Sequence, residues 1–279
     1  MIKRLLTSAG VIITITGFFL LRQFVDYRLF NVLVFGLMIT GTFEMVRAFK
    51  EKLTFFVKCV IWAYAISIVP LMTFFADVWA PVTFAAMLLI VSSLVFEFDA
   101  IDPEKAGVGM LALFYPAGLI TAMAAVNGFG KTVAGDSGFI PLLLIFVIAP
   151  FADAGAYIVG SIVKGKKLSP VISPNKTISG FIGGLVAGAL GAFLIWLVFP
   201  SARGAVAGVS WEWALYIMIG FIASAVSTFG DLVEGALKRK LDIKDMGGLL
   251  PGHGGMLDRI DSTMYVAVLI LVLFAFLGA

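Results

Sequence analysis

The run SGFIGGLVAGALGAFLIWLVFP, residues 179–200, contains no charged side chain and is long enough to cross a bilayer as a helix. Its glycines, Gly180, Gly183, Gly184, Gly188 and Gly191, allow close approach of neighbouring helix backbones. Comparable runs recur along the 279 residues, of which 61% are hydrophobic and 13% charged. A soluble domain of this size cannot bury so much apolar surface, so the solvent of this chain is lipid. A helix satisfies its own backbone hydrogen bonds in lipid, and the short alternating segments of a membrane barrel are absent. The sequence therefore predicts an all-α, polytopic membrane protein with about nine transmembrane helices. They fall near residues 5–24, 29–49, 53–76, 78–97, 106–126, 138–162, 179–200, 211–237 and 261–278. AGVIITITGFFLL, after Lys3 and Arg4, has the outline of a signal peptide, but the spans that follow make it the first of the series.

The basic residues sort unevenly between the loops. Arg47, Lys50, Lys52, Lys105, Lys164, Lys166, Lys167, Lys176, Lys238, Arg239, Lys240, Lys244 and Arg259 fall in the even-numbered loops. Lys3, Arg4, Arg22, Arg28, Lys131 and Arg203 fall on the other side, and the positive-inside rule then puts the even loops in the cytoplasm. A net charge of +3 gives no reason to expect a nucleic-acid partner. Cys59, the single cysteine, excludes an internal disulfide and reads as a packing residue. Residues 1–105 are mostly apolar helix. Residues 106–279 carry the polar clusters, which gather after Ala149, and the glycine-lined span allows a homodimer.

Two clusters lie on the expected cytoplasmic side, where nucleotides are available. The first runs from Asp153 to Lys176; the second, from Asp231, ends in KDMGGLLPGHGGMLDRID, residues 244–261. Asp231 and Glu234 are three apart and share a helix face, and Asp258 and Asp261 repeat that spacing. Acids at membrane depth are costly and mark functional sites. Carboxylates without cysteine, and with one histidine, favour a hard cation such as Mg²⁺ over zinc. Acids, interleaved lysines and glycine-rich backbone together suit a polyphosphate. Gly130-Lys131-Thr132 is not a P-loop, since the pattern needs glycine at 125, where Ala125 stands. Glu44, inside the second span, reads as a helix-packing hydrogen bond. A transporter would spread its charges through the spans and show an inverted repeat, and neither is visible.

These residues resemble the CDP-diacylglycerol synthase (phosphatidate cytidylyltransferase) family. The matching signature is Lys238-Arg239, Lys244-Asp245, Pro251-Gly252-His253-Gly254-Gly255 and Asp258-Arg259-Ile260-Asp261. Gly230 to Glu234, Asp153 to Tyr157 and Ser173 to Thr177 also resemble the family. Two positions depart from it: Gly235 replaces a serine and Ser179 replaces a glutamate.

The resemblance implies CMP transfer from CTP to phosphatidic acid, with Mg²⁺ as cofactor, in a bacterial inner membrane. It implies that Asp231, Asp258, Asp261 and Glu234 hold the metal. Lys238, Arg239, Lys244 and Arg259 would neutralise nucleotide phosphates, while Lys176 and the 164–167 lysines would draw in the lipid phosphate. Asp153, Ser173, Thr177, Asp245, Gly252, His253, Gly254 and Gly255 would complete the nucleotide site, His253 by shaping its loop. The alternatives are CTP-dependent enzymes of other lipids, a polyprenol kinase or an archaeal-type lipid cytidylyltransferase.

Overall fold

The computed structural model describes residues 2–75, 78–129, 138–203, 211–249 and 254–277. Among them the regular structure is helical apart from one small hairpin. The helices are α1 (Ile2–Phe24), α2 (Arg28–Ala48), α3 (Phe55–Phe74), α4 (Trp79–Phe96), α5 (Pro103–Ala112), α6 (Leu119–Asn127), α7 (Phe139–Val163), α8 (Ile178–Val198), α9 (Glu212–Lys240) and α10 (Leu257–Leu277). Eight stretches are long and apolar enough to cross a membrane, with α5 and α6 joined as one, Pro103–Asn127. In α1 the apolar part is the shorter Ala9–Phe24. All nine predicted spans correspond to these helices. The α5–α6 span is broken where Tyr115 leaves helical backbone (φ −108°, ψ 107°) and Pro116 follows, a residue that cannot donate to the helical ladder.

Two compact units divide the chain. The first comprises Met1–Gly128 with Asp245–Asp258, the second Phe129–Lys244 with Arg259–Ala279.

In the first unit, polar ties join helices that apolar contact alone would leave free to slide in lipid. Arg22, buried at the end of α1, donates through Nε to Asn127 Oδ1 of α6 at 2.7 Å. Asn127 donates to Asn31 Oδ1 of α2 at 2.8 Å, and Asn31 to Thr73 Oγ1 of α3 at 2.8 Å. Tyr64 of α3 shares hydrogen bonds with Thr83 of α4 and Thr121 of α6. Asp102 caps α5 by accepting from Lys105 N, with Pro103 at the first helical position. Cys59, expected to pack, is exposed on α3, where a small apolar side chain can equally face lipid.

The second unit is built on the small residues of α7, α8 and α9. A Cβ at Gly183 would stand 2.5 Å from Val159 of α7, and one at Gly184 would stand 2.9 Å from the Ala152 carbonyl. Gly188 is filled by Ser224 of α9, and Gly220 of α9 faces the Gly188 carbonyl. The glycines read as a possible pairing face are thus used inside the chain. Between α7 and α8, residues expected to form only a loop make an antiparallel hairpin, β1 (Lys167–Ser169) with β2 (Ser173–Thr177). Thr177 ends the hairpin and caps α8, its Oγ1 accepting from Gly180 N at 3.0 Å. Thr177→Ala should lower stability by about 1 kcal/mol, read as a fall in thermal midpoint in detergent.

Candidate active site

The second unit contains a cleft of about 470 Å³, lined among others by Asp153, Tyr157, Ser161, Asn175, Lys176, Thr228 and Asp231. Three elements supply its charged groups. Asp153 projects from α7, Lys176 from β2 and Asp231 from α9. The hairpin brings Lys176 to Asp231, and the two form an ion pair. Tyr157, Leu168 and Phe181 give the cleft an apolar wall beside these charges.

Along α9, Ser227, Asp231, Glu234 and Lys238 follow at helical spacing and form one polar stripe. Glu234 is fully buried, and its Oε2 accepts from Lys238 Nζ at 2.7 Å. Asp261, also buried, lies within hydrogen-bond reach of Glu234 and close enough to Asp231 for their charges to interact. Arg259 is close enough to Asp153 for the same. Four carboxyl groups, Asp153, Asp231, Glu234 and Asp261, thus lie among three cations, Lys176, Lys238 and Arg259.

The other expected site residues are placed differently. Arg239 lies outside the cleft lining, with its Nε 3.4 Å from the Ile172 carbonyl at the hairpin tip. Ser173 pairs with Ser169 in the hairpin, and the Thr177 hydroxyl serves the helix cap. Lys244 is exposed at the end of the second unit. In the first unit, Asp258 Oδ2 accepts from Met246 N at 3.0 Å and Gly255 N at 2.7 Å. Gly254 has φ +84°, a conformation open to glycine, and a Cβ there would stand 3.0 Å from Asp258 Oδ2 and 3.2 Å from Asp245 Oδ1. Pro251, Gly252, His253 and the Gly130–Thr132 stretch lie outside the described residues.

The two departures from the family pattern have local consequences. Ile172 Cγ2 stands 3.1 Å from where a Gly235 Cβ would be, so the hairpin tip packs on that glycine. Ser179 Oγ donates to the Lys164 carbonyl, tying the end of α7 to the start of α8.

Oxygen donors of this kind suit a hard divalent cation. Among the described residues no three acids, histidines or cysteines are gathered into a ready ligand group. The Asp231 and Glu234 carboxylates are each paired with an ammonium group, Lys176 and Lys238. Lys176 pairs with Asp231 Oδ2, so a metal bound through Asp231 would share that carboxylate with the lysine. Tyr157 and Asn175 lie in the quoted motifs but were given no role of their own, and Ser161 and Thr228, uncharged residues with no spacing signal, were missed in the sequence.

The sequence pattern of the cytidylyltransferase family matches residues 2–277. This chain belongs to the cytidylyltransferase family. Curated relatives are named phosphatidate cytidylyltransferase. The protein from Bacillus subtilis (strain 168) is 31% identical over 271 residues, 95% of this chain and 94% of that one. The protein from Staphylococcus aureus (strain COL) is 34% identical over 203 residues, covering 71% and 72%. That from Staphylococcus saprophyticus is 43% identical over 132 residues, so the match spans about half the length of each chain (47% and 48%). As a member of the cytidylyltransferase family with eight membrane-length apolar stretches among the described residues, the chain is an integral, multi-pass membrane protein.

Proposed function

We propose that this cytidylyltransferase transfers CMP from CTP to phosphatidic acid, giving CDP-diacylglycerol and pyrophosphate, at the cytoplasmic face of a bacterial inner membrane. The reading is carried by the cleft that sets Lys176, Asp231 and Asp153 beside Tyr157, Leu168 and Phe181. A charged end with an apolar wall suits a substrate that is a phosphate at one end and a lipid at the other. The names of the relatives support the same substrates.

In this reading the phosphate monoester of the lipid is the nucleophile. Its second pKa is roughly 6, so it is largely dianionic near neutral pH and needs no general base. A monoester oxygen bonds to the α-phosphorus of CTP, and the bond from that phosphorus to the pyrophosphate oxygen breaks. The obstacle is bringing one anion onto another. Lys176 meets the lipid phosphate, while Lys238, Arg239, Lys244 and Arg259 neutralise the nucleotide phosphates. Asp231, Glu234, Asp258 and Asp261 would hold Mg²⁺, which supplies further charge neutralisation at the triphosphate. Asp153, Ser173, Thr177, Asp245 and the Gly252–Gly255 backbone with His253 complete the nucleotide site. Surrounding membrane lipid is the solvent, and a homodimer in this reading uses helix faces other than the glycine seams.

The test is incubation of the purified protein with labelled CTP, phosphatidic acid and Mg²⁺. The expected product is labelled CDP-diacylglycerol, with pyrophosphate released in equal amount. A CTP-dependent product from a polyprenol or an archaeal-type lipid, with none from phosphatidic acid, would replace this reading.

A further inference from the structure

Glu44 sits inside α2, a membrane-spanning helix, and is only 2% exposed. A carboxylate in that position is costly unless its oxygens are satisfied. Both are. Oε1 accepts from Met256 N at 2.9 Å and Oε2 from Leu257 N at 2.9 Å. These amides open α10 and have no partner within the helix, and a negative charge there also meets the positive end of the helix dipole.

The surrounding residues are shaped to this carboxylate. A Cβ on Gly255 would stand 2.6 Å from either Glu44 oxygen, and one on Gly247 would collide with Oε1. Gly41, one turn before Glu44, leaves room for Leu257, whose Cδ2 stands 3.1 Å from where its Cβ would be. Two limbs of the signature segment, 245–247 and 254–257, therefore close on one buried acid. The same limbs supply Met246 N and Gly255 N to Asp258 Oδ2. Whatever fixes those amides fixes the orientation of Asp258.

We infer that Glu44 is a positioning residue: it anchors the nucleotide loop and so orients Asp258 without touching substrate. This rests on the reading of residues 244–261 as the CTP-binding segment. Glu44→Gln is the informative variant. It keeps the shape but turns an amide NH₂ toward a backbone N–H, so one of the two hydrogen bonds is lost and donor meets donor.

The experiment compares wild type, Glu44→Gln and Glu44→Asp as full-length protein in detergent, by amide hydrogen exchange and by steady-state kinetics. In Glu44→Gln, exchange at residues 254–258 should quicken by ~10-fold or more while α8 is unchanged. The KM for CTP should rise by at least about fivefold with the KM for phosphatidic acid little changed, and Glu44→Asp should recover part of both. If Glu44→Gln does not fold, Gly247→Ala pushes a methyl into the same carboxylate and should give the same pair of changes. Wild-type exchange in a folded variant, or faster exchange with an unchanged CTP KM in an active enzyme, overturns the inference. If the wild type makes no CTP-dependent lipid product, the functional reading fails. The exchange result alone then decides whether Glu44 holds the loop.

Discussion

Asp231→Asn is expected to lower CTP-dependent cytidylyl transfer by on the order of 10³-fold, the loss typical of removing a charged group that acts on the transition state. Asp231 faces the cleft, pairs with Lys176 and lies within electrostatic reach of Asp153 and Asp261. Asparagine keeps its size but removes the charge that holds the lysine and that a metal would share. The loss should fall mainly in kcat, measured with labelled CTP at saturating phosphatidic acid. Chelation of divalent cations should silence the wild type in the same assay, and excess Mg²⁺ should restore it. Near-normal turnover by Asp231→Asn would remove Asp231 from the metal assignment, even with the overall reaction intact.

Gly220→Leu should prevent stable folding, or cost about 3 kcal/mol or more where some folded protein survives. A Cβ at Gly220 would stand 2.5 Å from the Gly188 carbonyl, 2.7 Å from Ala189 Cα and 2.7 Å from Ala192 Cβ. Two of these neighbours are backbone, which cannot turn aside as a flexible side chain would. The α8–α9 contact would have to open, and in lipid that contact rests on packing without a hydrophobic drive. Gly36→Leu on α2 is the matched control, because nothing lies within 4 Å of a Cβ there. Size-exclusion behaviour and thermal midpoint in detergent should separate the two variants. Equal stability would show that the α8–α9 seam has more slack than its geometry implies.

The membrane spans were legible because each depends on a local property, an apolar run of sufficient length. The span expected at 179–200 is the helix Ile178–Val198, and that expected at 211–237 begins within a residue of Glu212. The hairpin was not legible: SPVISPNKT has two prolines and no strand alternation, and its form depends on the helices that flank it. At the site, the shared face of Asp231 and Glu234 followed from helical spacing. Their lysine partners did not follow as readily. Lys238 is one turn away on the same helix, but Lys176 reaches Asp231 only because the hairpin folds across to α9. Glu44 shows the limit most clearly. A hydrogen bond was foreseeable for an acid inside a span, but its donors stand 212 and 213 residues further along the chain.

That separation has a consequence for biogenesis. Ribosomes add roughly 5–20 residues per second, so Glu44 emerges roughly 10–40 seconds before Met256 does. Throughout that interval an acid within a membrane helix lacks the amides that later satisfy it. Water, lipid headgroups or the insertion machinery must accommodate it until the loop arrives. A chain that ends after α9 would lack Met256 N and Leu257 N and keep this acid in the membrane without them.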